Sequence, residues 1–135
     1  MSPSAGARVW IVPGVLTLAL VGMHALPGRD LAGEDWWMVW HVDKWLHALV
    51  FSLWSLSVCI SLAKQRILQG RRRLELVVLS AALIFGTVLE AGQGAWMPGR
   101  TMDGMDVLAD VAGTWLSFSW FRFIFGTRPG RIASD

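Results

Sequence analysis

Four long apolar runs decide what this chain can fold into. They cover residues 9–26, 45–63, 74–89 and 107–125. Each holds roughly 16–19 residues, which is about the length at which an α-helix crosses the hydrocarbon core of a bilayer. Of all residues, 54% are hydrophobic and only 16% are charged, whereas about a quarter are charged in an ordinary soluble domain. The sequence therefore predicts an all-α, polytopic membrane protein.

The runs predict a small bundle of four transmembrane helices in one domain over residues 1–135, at about 9–26, 45–63, 74–95 and 105–125. The third helix reaches residue 95 if Glu90 and Gln93 are tolerated inside it. Near its end the first run has only a poor signal-peptide cleavage pattern, Met23-His24-Ala25, so we interpret it as an anchor helix. The single cysteine, Cys59, allows no intrachain disulfide.

The distribution of charge predicts an orientation. Nine of the 12 Lys and Arg residues fall at the two ends of the chain and in the connection 64–73, and the remaining three fall in the other two connections. By the positive-inside rule, we expect a multi-pass protein of the bacterial inner membrane with both termini in the cytoplasm. The basic cluster at 71–73 is interpreted as an anchor on anionic lipid, and nothing in the charge pattern indicates a nucleic-acid partner.

Tryptophans mark the opposite, outer boundary of the predicted bundle. Amphipathic indole rings prefer the membrane–water interface. The Trp-Trp-x-x-Trp spacing at residues 36–40 predicts a short interfacial helix in the first outer connection.

Polar side chains concentrate at the outer ends of the last three predicted helices. Within each helix their spacing of three, four or seven residues places them on a single face. The set comprises Asp43, Lys44 and His47 on the second helix, Glu90 and Gln93 on the third, Arg100 in the turn, and Asp103, Asp106 and Asp110 on the fourth. The sequence thus predicts that three helices bring polar faces to the same membrane level.

Two of these carboxylates, Glu90 and Asp110, are predicted to lie a turn or so inside the hydrocarbon. A carboxylate costs about 2.5–3.5 kcal/mol at the bilayer centre and less towards the interface. Both should therefore face the bundle interior beside a cation: Lys44, Arg100, protonated His47 or a metal ion.

Simpler interpretations remain open for the other polar residues. Asp103 and Asp106 can serve as the N-cap and first-turn acid of the fourth helix. His47 can be a hydrogen-bonded histidine beside Asp43 rather than a ligand. The two remaining histidines, His24 and His41, are expected to be interfacial polar residues.

Two motifs resemble the signatures of the VanZ-like membrane proteins. Asp43-Lys44-x-x-His47-x-x-x-Phe51 is similar to the first, and Glu90-x-x-Gln93-x-x-x-x-Pro98-Gly99-Arg100-x-x-Asp103-x-x-Asp106-x-x-Ala109-Asp110-x-x-Gly113 to the second. The resemblance covers about residues 43–113; the family usually has asparagine where this chain has Asp110. It implies a bundle of four to five helices and a link to the cell envelope, because the founding member is associated with low-level teicoplanin resistance. It implies no particular reaction.

The first functional hypothesis is a site for an anionic lipid or cell-envelope precursor head group. Arg100 and Lys44 would hold a phosphate or carboxylate. Asp106, Glu90 and His47 would supply acid–base chemistry or bind a divalent cation. The other substrate-binding candidates are Gln93, Asp43, Asp103 and Asp110. No metal is assigned, although oxygen-rich ligands suit Mg²⁺ or Ca²⁺, and whether the protein is an enzyme is left open.

The alternative hypothesis is a non-catalytic accessory subunit of a larger membrane complex. The polar cluster would then be a structural hydrogen-bond knot that joins three helix ends, and the partners would be other membrane subunits as well as lipid. Movement of protons or cations through the bundle is less favoured, because the inner halves of the helices offer no polar continuation except Arg122.

Overall fold

The computed structural model describes residues 3–25, 42–68, 70–96 and 102–126, and within these ranges all regular structure is helical. The helices are α1 (Pro3–Arg8), α2 (Ile11–His24), α3 (Val42–Lys64), α4 (Arg71–Trp96) and α5 (Gly104–Phe125). Three stretches in these ranges are long and apolar enough to cross a membrane: Gly6–His24, Val42–Lys64 and Arg71–Trp96. An all-helical bundle with membrane-spanning helices is confirmed to this extent. The interfacial helix predicted at 36–40 lies outside the described residues.

The predicted first helix, at about 9–26, begins at Ile11, and a short helix precedes it. The chain leaves α1 at Arg8 and enters α2 at Ile11, with a turn between them. Pro13 has no backbone N–H, so it cannot donate to the carbonyl of Val9 four residues earlier. The hydroxyl of Ser61, on α3, lies 2.6 Å from that carbonyl oxygen and 2.8 Å from the Ser57 carbonyl oxygen, and its single proton can be donated to either. A single polar side chain on the neighbouring helix can thus satisfy the backbone group that the proline leaves open.

The other helices begin before the apolar runs that predicted them. Helix α3 starts at residue 42 and α4 at residue 71, so Asp43 and Lys44 lie within the first turn of α3. Helix α5 begins at Gly104, and the Asp103 carboxylate caps it by accepting from the amide of Met105 at 2.8 Å. The apolar runs mark the part of each helix that suits hydrocarbon, whereas capping and charged residues set its end.

Helix α3 lies at the centre of the bundle. It packs against α2, α4 and α5, and α4 also packs against α5. Glycines permit the closest approaches: a Cβ added to Gly113 of α5 would overlap the backbone carbonyl of Ala48 on α3, and one added to Gly86 of α4 would lie 2.5 Å from the Asp110 carboxylate. Small residues of this kind let membrane helices approach closely.

The bundle interior changes character along its length. At one end, the carboxyl-terminal parts of α3 and α5 and the start of α4 form an apolar core of Cys59, Ala63, Leu74, Val78, Phe118 and Phe121. A second apolar cluster follows, formed by Leu20, Phe51, Trp54 and Ala82. At the far end the buried residues are polar and charged. This end holds the candidate site.

Helix α5 has a polar inward face and an apolar outward face. Its buried residues are Asp106, Asp110, Gly113, Thr114, Ser117, Phe118 and Phe121. Its exposed apolar residues include Leu108, Trp115, Leu116, Trp120 and Phe123, the last of which is 85% exposed. A soluble helix shows the opposite arrangement. The polar inward face accounts for the composition of α5, which is not among the three candidate spans.

Candidate functional site

Eight of the nine predicted site residues lie together at one end of the bundle, and the ninth, Arg100, lies outside the described residues. They form two layers. The lysine layer, nearer the helix ends, comprises Asp43, Lys44, Asp103 and Asp106. The histidine layer, deeper in the bundle, comprises His47, Glu90, Gln93 and Asp110 together with His24 of α2.

In the lysine layer, Lys44 forms ion pairs with all three carboxylates. The Lys44 ammonium donates to Asp106 Oδ1 at 2.7 Å and to Asp103 Oδ2 at 2.8 Å, and it lies 3.6 Å from Asp43 Oδ2. The hydrogen bond from Lys44, and then the one from the Met105 amide, lower the pKa of the Asp103 carboxyl below its ordinary value. The layer therefore fixes the start of α3 to the start of α5 by charge-assisted hydrogen bonds.

These contacts change two of the expected roles. Asp103 is the N-cap of α5, as the simpler interpretation expected, and it also pairs with Lys44. The Lys44 ammonium is directed at carboxylates of its own chain. In this arrangement it is not available to hold an anionic ligand, which was its predicted role.

The histidine layer is almost completely buried. The Glu90 and Asp110 side chains are inaccessible, and His24 is 4% exposed. The His47 Nδ1 donates to Asp110 Oδ1 at 3.0 Å, so the partner of His47 is Asp110 on another helix rather than Asp43. The His24 and His47 rings meet edge to face with centroids 4.8 Å apart.

Several polar atoms in this layer lack hydrogen-bond partners among the described residues. The His24 Nε2 lies 3.3 Å from Glu90 Oε1, but the two are not aligned as a hydrogen bond and neither has another partner. The Asp110 Oδ2 is likewise buried without one. A buried polar atom left unpaired costs about 1–3 kcal/mol. Three such atoms in one layer are unusual, because buried polar groups are nearly always hydrogen-bonded.

The second carboxylate oxygen of Glu90 joins the two layers. The Asp103 amide, at the start of α5, donates to Glu90 Oε2 at 3.3 Å. Glu90 is therefore held in place through one oxygen, while the other faces His24.

Both histidines are oriented through their Nδ1 atoms. His24 Nδ1 lies 2.8 Å from the Leu20 carbonyl oxygen, and His47 Nδ1 faces the Asp110 carboxylate. Carbonyl and ionised carboxylate oxygens only accept, so each Nδ1 carries a proton, and the lone pair of a neutral ring then lies on Nε2. One nitrogen of each histidine and one Glu90 oxygen lie within 4.8 Å of one another. These three residues could hold a metal ion or exchange a proton.

His24 is the site residue that the sequence interpretation assigned elsewhere. It was expected to be an interfacial polar residue, but the structure buries it in the histidine layer, where its backbone carbonyl accepts from Gln93 Nε2 at 3.0 Å. The signal that could have found it is its position. It lies near the end of the first apolar run, and so it lies at the same level of an up-and-down bundle as Asp43 and Glu90.

Comparisons of the chain with protein-family models, curated proteins and solved structures found no match. The fold and site together define a helical bundle with three candidate membrane spans and a buried histidine–carboxylate layer at one end.

Proposed function

We propose that this chain is a four-span protein of the VanZ-like type in the bacterial inner membrane, with both termini in the cytoplasm. The family assignment depends on the two motifs described above, and the orientation on the positive-inside rule. In this orientation the histidine layer lies at the level of the outer leaflet.

Helix α5 supplies the fourth span in this proposal. Its 22 residues make a helix about 33 Å long, enough to cross the hydrocarbon core. Its outward face carries Leu108, Trp115 and Phe123, all exposed, whereas its acidic residues face α3 and α4. Membrane helices place their ionisable residues in the bundle interior in this way.

The proposed function is to bind or act on the anionic head group of a lipid or cell-envelope precursor at the histidine layer. The observation that carries it is the pair His24 Nε2 and Glu90 Oε1, both buried and without a hydrogen-bond partner among the described residues. His47 and Glu90 are the groups positioned for acid–base work. Asp106 holds Lys44, so its role is to position the helices.

One observation favours the second candidate, a non-catalytic accessory subunit. The direct pairing of Lys44 with Asp103 and Asp106 is what a structural knot between helix ends requires. The unpaired atoms of the histidine layer favour the first candidate over this one, because a knot is stable only when its members are satisfied.

The test is to identify the lipids that remain bound to the full-length protein. The chain is purified from native membrane in mild detergent, and the bound lipids and precursors are compared by mass spectrometry with those of the bulk membrane. We expect one class of anionic amphiphile to be enriched about tenfold or more. The Glu90→Gln variant should lose that enrichment, because a carboxylate can hold an anionic head group only through a shared proton or a bound cation, and the amide of similar shape supplies neither.

Glu75→Gln is the matched control. Glu75 lies on the same helix at the opposite end of the bundle, paired with Arg71, and its substitution should leave the bound lipids unchanged. A wild-type lipid profile equal to that of the membrane, or equal retention by Glu90→Gln, would contradict the proposal. Stoichiometric co-purification of other membrane proteins would favour the accessory-subunit role.

A further inference from the structure

We infer that His24, His47 and Glu90 bind a divalent transition-metal ion, with Zn²⁺ as its simplest representative. The inference deepens the proposed function and rests on its claim that the histidine layer is the functional part of the cluster. It adds a cofactor to that layer.

The first support is the geometry of the donor atoms. A tetrahedral zinc site with bonds of about 2.0–2.1 Å has ligand atoms about 3.4 Å apart. The His24 Nε2 and Glu90 Oε1 are already 3.3 Å apart. The widest separation in the set is 4.8 Å, so side-chain movements of about 1.4 Å would complete a tetrahedral spacing.

The second support is that His24 Nε2 and Glu90 Oε1 are both buried and lie 3.3 Å apart, without a hydrogen-bond partner among the described residues. The Nδ1 contact with the Leu20 carbonyl leaves Nε2 as the His24 ring atom that can bind a cation. A cation between the two atoms satisfies both. It also gives a reason for burying two acceptor atoms where no donor from the described residues reaches them.

The third support is the set of contacts behind the ligands. Metal-binding histidines nearly always donate their second ring N–H to a carboxylate or a backbone carbonyl, which fixes the ring and the tautomer. His47 donates to the Asp110 carboxylate at 3.0 Å, and His24 to the Leu20 carbonyl at 2.8 Å. The Glu90 carboxylate is in turn held by the Asp103 amide. Every proposed ligand therefore has an orienting contact.

The fourth support is charge. The layer contains two inaccessible carboxylates, Glu90 and Asp110. Charges removed from water are stable only when they are paired. The Lys44 ammonium is held by Asp106 and Asp103, so it does not neutralise the deeper layer. A divalent ion bound by Glu90 and the two histidines would place a positive charge beside both buried carboxylates.

The donor set also selects the kind of metal. Two imidazole nitrogens and one carboxylate suit zinc, iron and similar ions, whereas Mg²⁺ and Ca²⁺ prefer all-oxygen ligands. The oxygen-rich set expected from the sequence did not contain His24, and its inclusion moves the preference to a transition metal. Sites with three protein ligands commonly keep one open position, and that position could receive a phosphate or carboxylate oxygen of a head group.

The test is metal binding by the purified full-length chain. Metal is removed with a chelator, Zn²⁺ is returned by dialysis, and bound metal is counted by inductively coupled plasma mass spectrometry. We expect about one Zn²⁺ per chain, and a visible Co²⁺ spectrum of tetrahedral intensity when Co²⁺ replaces it. Glu90→Gln, His24→Gln and His47→Gln should each lower the affinity for Zn²⁺ by about 100-fold or more, since loss of an outer-shell contact alone costs 10–100-fold. Glu75→Gln should not change it.

Wild-type protein that binds neither Zn²⁺ nor Co²⁺ after chelation would overturn the inference, and so would full affinity in folded Glu90→Gln. The wild-type measurement does not depend on how well any variant folds. The inference of a metal site and the proposal of a head-group ligand can be contradicted independently. Zinc binding without enrichment of an anionic amphiphile would support the metal site and contradict the proposed head-group ligand. Enrichment that persists after chelation, in protein that does not bind Zn²⁺, would support the head-group ligand and contradict the metal site.

Discussion

His47 and Asp110, 63 positions apart in the chain, meet at 3.0 Å in the interior of the bundle. The contact joins α3 to α5 and directs the imidazole of His47 towards His24 and Glu90. A buried hydrogen bond between a histidine and a carboxylate orients the ring as well as stabilising the fold. It is the contact through which the packing of α3 on α5 determines the shape of the histidine layer.

Asp110→Asn and Asp110→Ala should separate these two effects. An amide oxygen can still accept from His47, so Asp110→Asn should keep the unfolding free energy within about 1 kcal/mol of wild type. Asp110→Ala leaves the His47 N–H unpaired and should lower it by about 1–3 kcal/mol. The measurement is reversible unfolding in detergent micelles. Equal losses in the two variants would show that the charge of Asp110, rather than its acceptor atom, holds the contact.

The two ion pairs of Lys44 should differ in strength. Asp106 is 7% exposed in its side chain and Asp103 is 45% exposed. A double-mutant cycle with Lys44→Met and Asp106→Asn should give a coupling energy of about 1–3 kcal/mol. The cycle with Asp103→Asn should give less than about 1 kcal/mol, because water screens an exposed pair. A larger coupling to Asp103 would contradict the layered arrangement.

Gly113→Ala should be strongly destabilising. The added methyl group would overlap the Ala48 carbonyl on α3, and backbone cannot move aside as a flexible side chain can. We expect a loss of about 1–3 kcal/mol in unfolding free energy. Gly22→Ala is the matched control, since a Cβ at that helical glycine meets nothing within 4 Å. Similar losses in both variants would mean that α3 and α5 are not in close contact at Gly113.

Ser61 and Pro13 should be energetically coupled through the Val9 carbonyl. Ser61→Ala leaves that carbonyl without its donor, and we expect a loss of about 0.5–1.5 kcal/mol. In a Pro13→Ala background the new backbone N–H can donate to the same carbonyl, so Ser61→Ala should cost less there. The same unfolding assay measures all four members of the cycle. Additive effects would contradict the contact.

The proposed orientation can be tested with single cysteines. The native Cys59 is buried, so it provides a silent background. Met102 and Ile67 are both about half exposed and lie at opposite ends of the bundle. In intact cells, Met102→Cys should react with a membrane-impermeant maleimide, and Ile67→Cys should react only after permeabilisation. The reverse pattern would invert the topology and place the histidine layer on the cytoplasmic side.

Much of the fold could be predicted, because a helix that crosses a membrane needs an apolar run of a known length. Apolar length alone located α3, α4 and α5 to within three residues at their starts. The break between α1 and α2 could not be predicted in the same way, because the donor that makes it tolerable, Ser61, belongs to another helix. By composition alone, α5 is not recognised as a candidate membrane span. Its inward residues such as Thr114 and Ser117 are polar, and only packing shows which face they occupy.

For the site, the sequence predicted which residues gather but not how they pair. Spacing placed Lys44 and His47 on one helix and Glu90 and Asp110 on others, but the rotation of each helix decides which atoms meet. Lys44 therefore proved to be held by Asp103 and Asp106. His24 belongs to the histidine layer because of how α2 packs against α3 and α4, and the sequence around His24 does not predict that packing.

The most direct test of the central claim, that the histidine layer is a functional site rather than a structural knot, is the stability of Glu90→Gln. Both proteins are freed of metal with a chelator, and their unfolding free energies are compared by titration with denaturing detergent. If the layer is a site, removing an unneutralised buried charge should leave the stability unchanged or raise it, as substitutions at functional sites often do. A loss of about 3–5 kcal/mol, the usual cost of breaking a buried ion pair, would contradict the account and show that Glu90 holds the helices together.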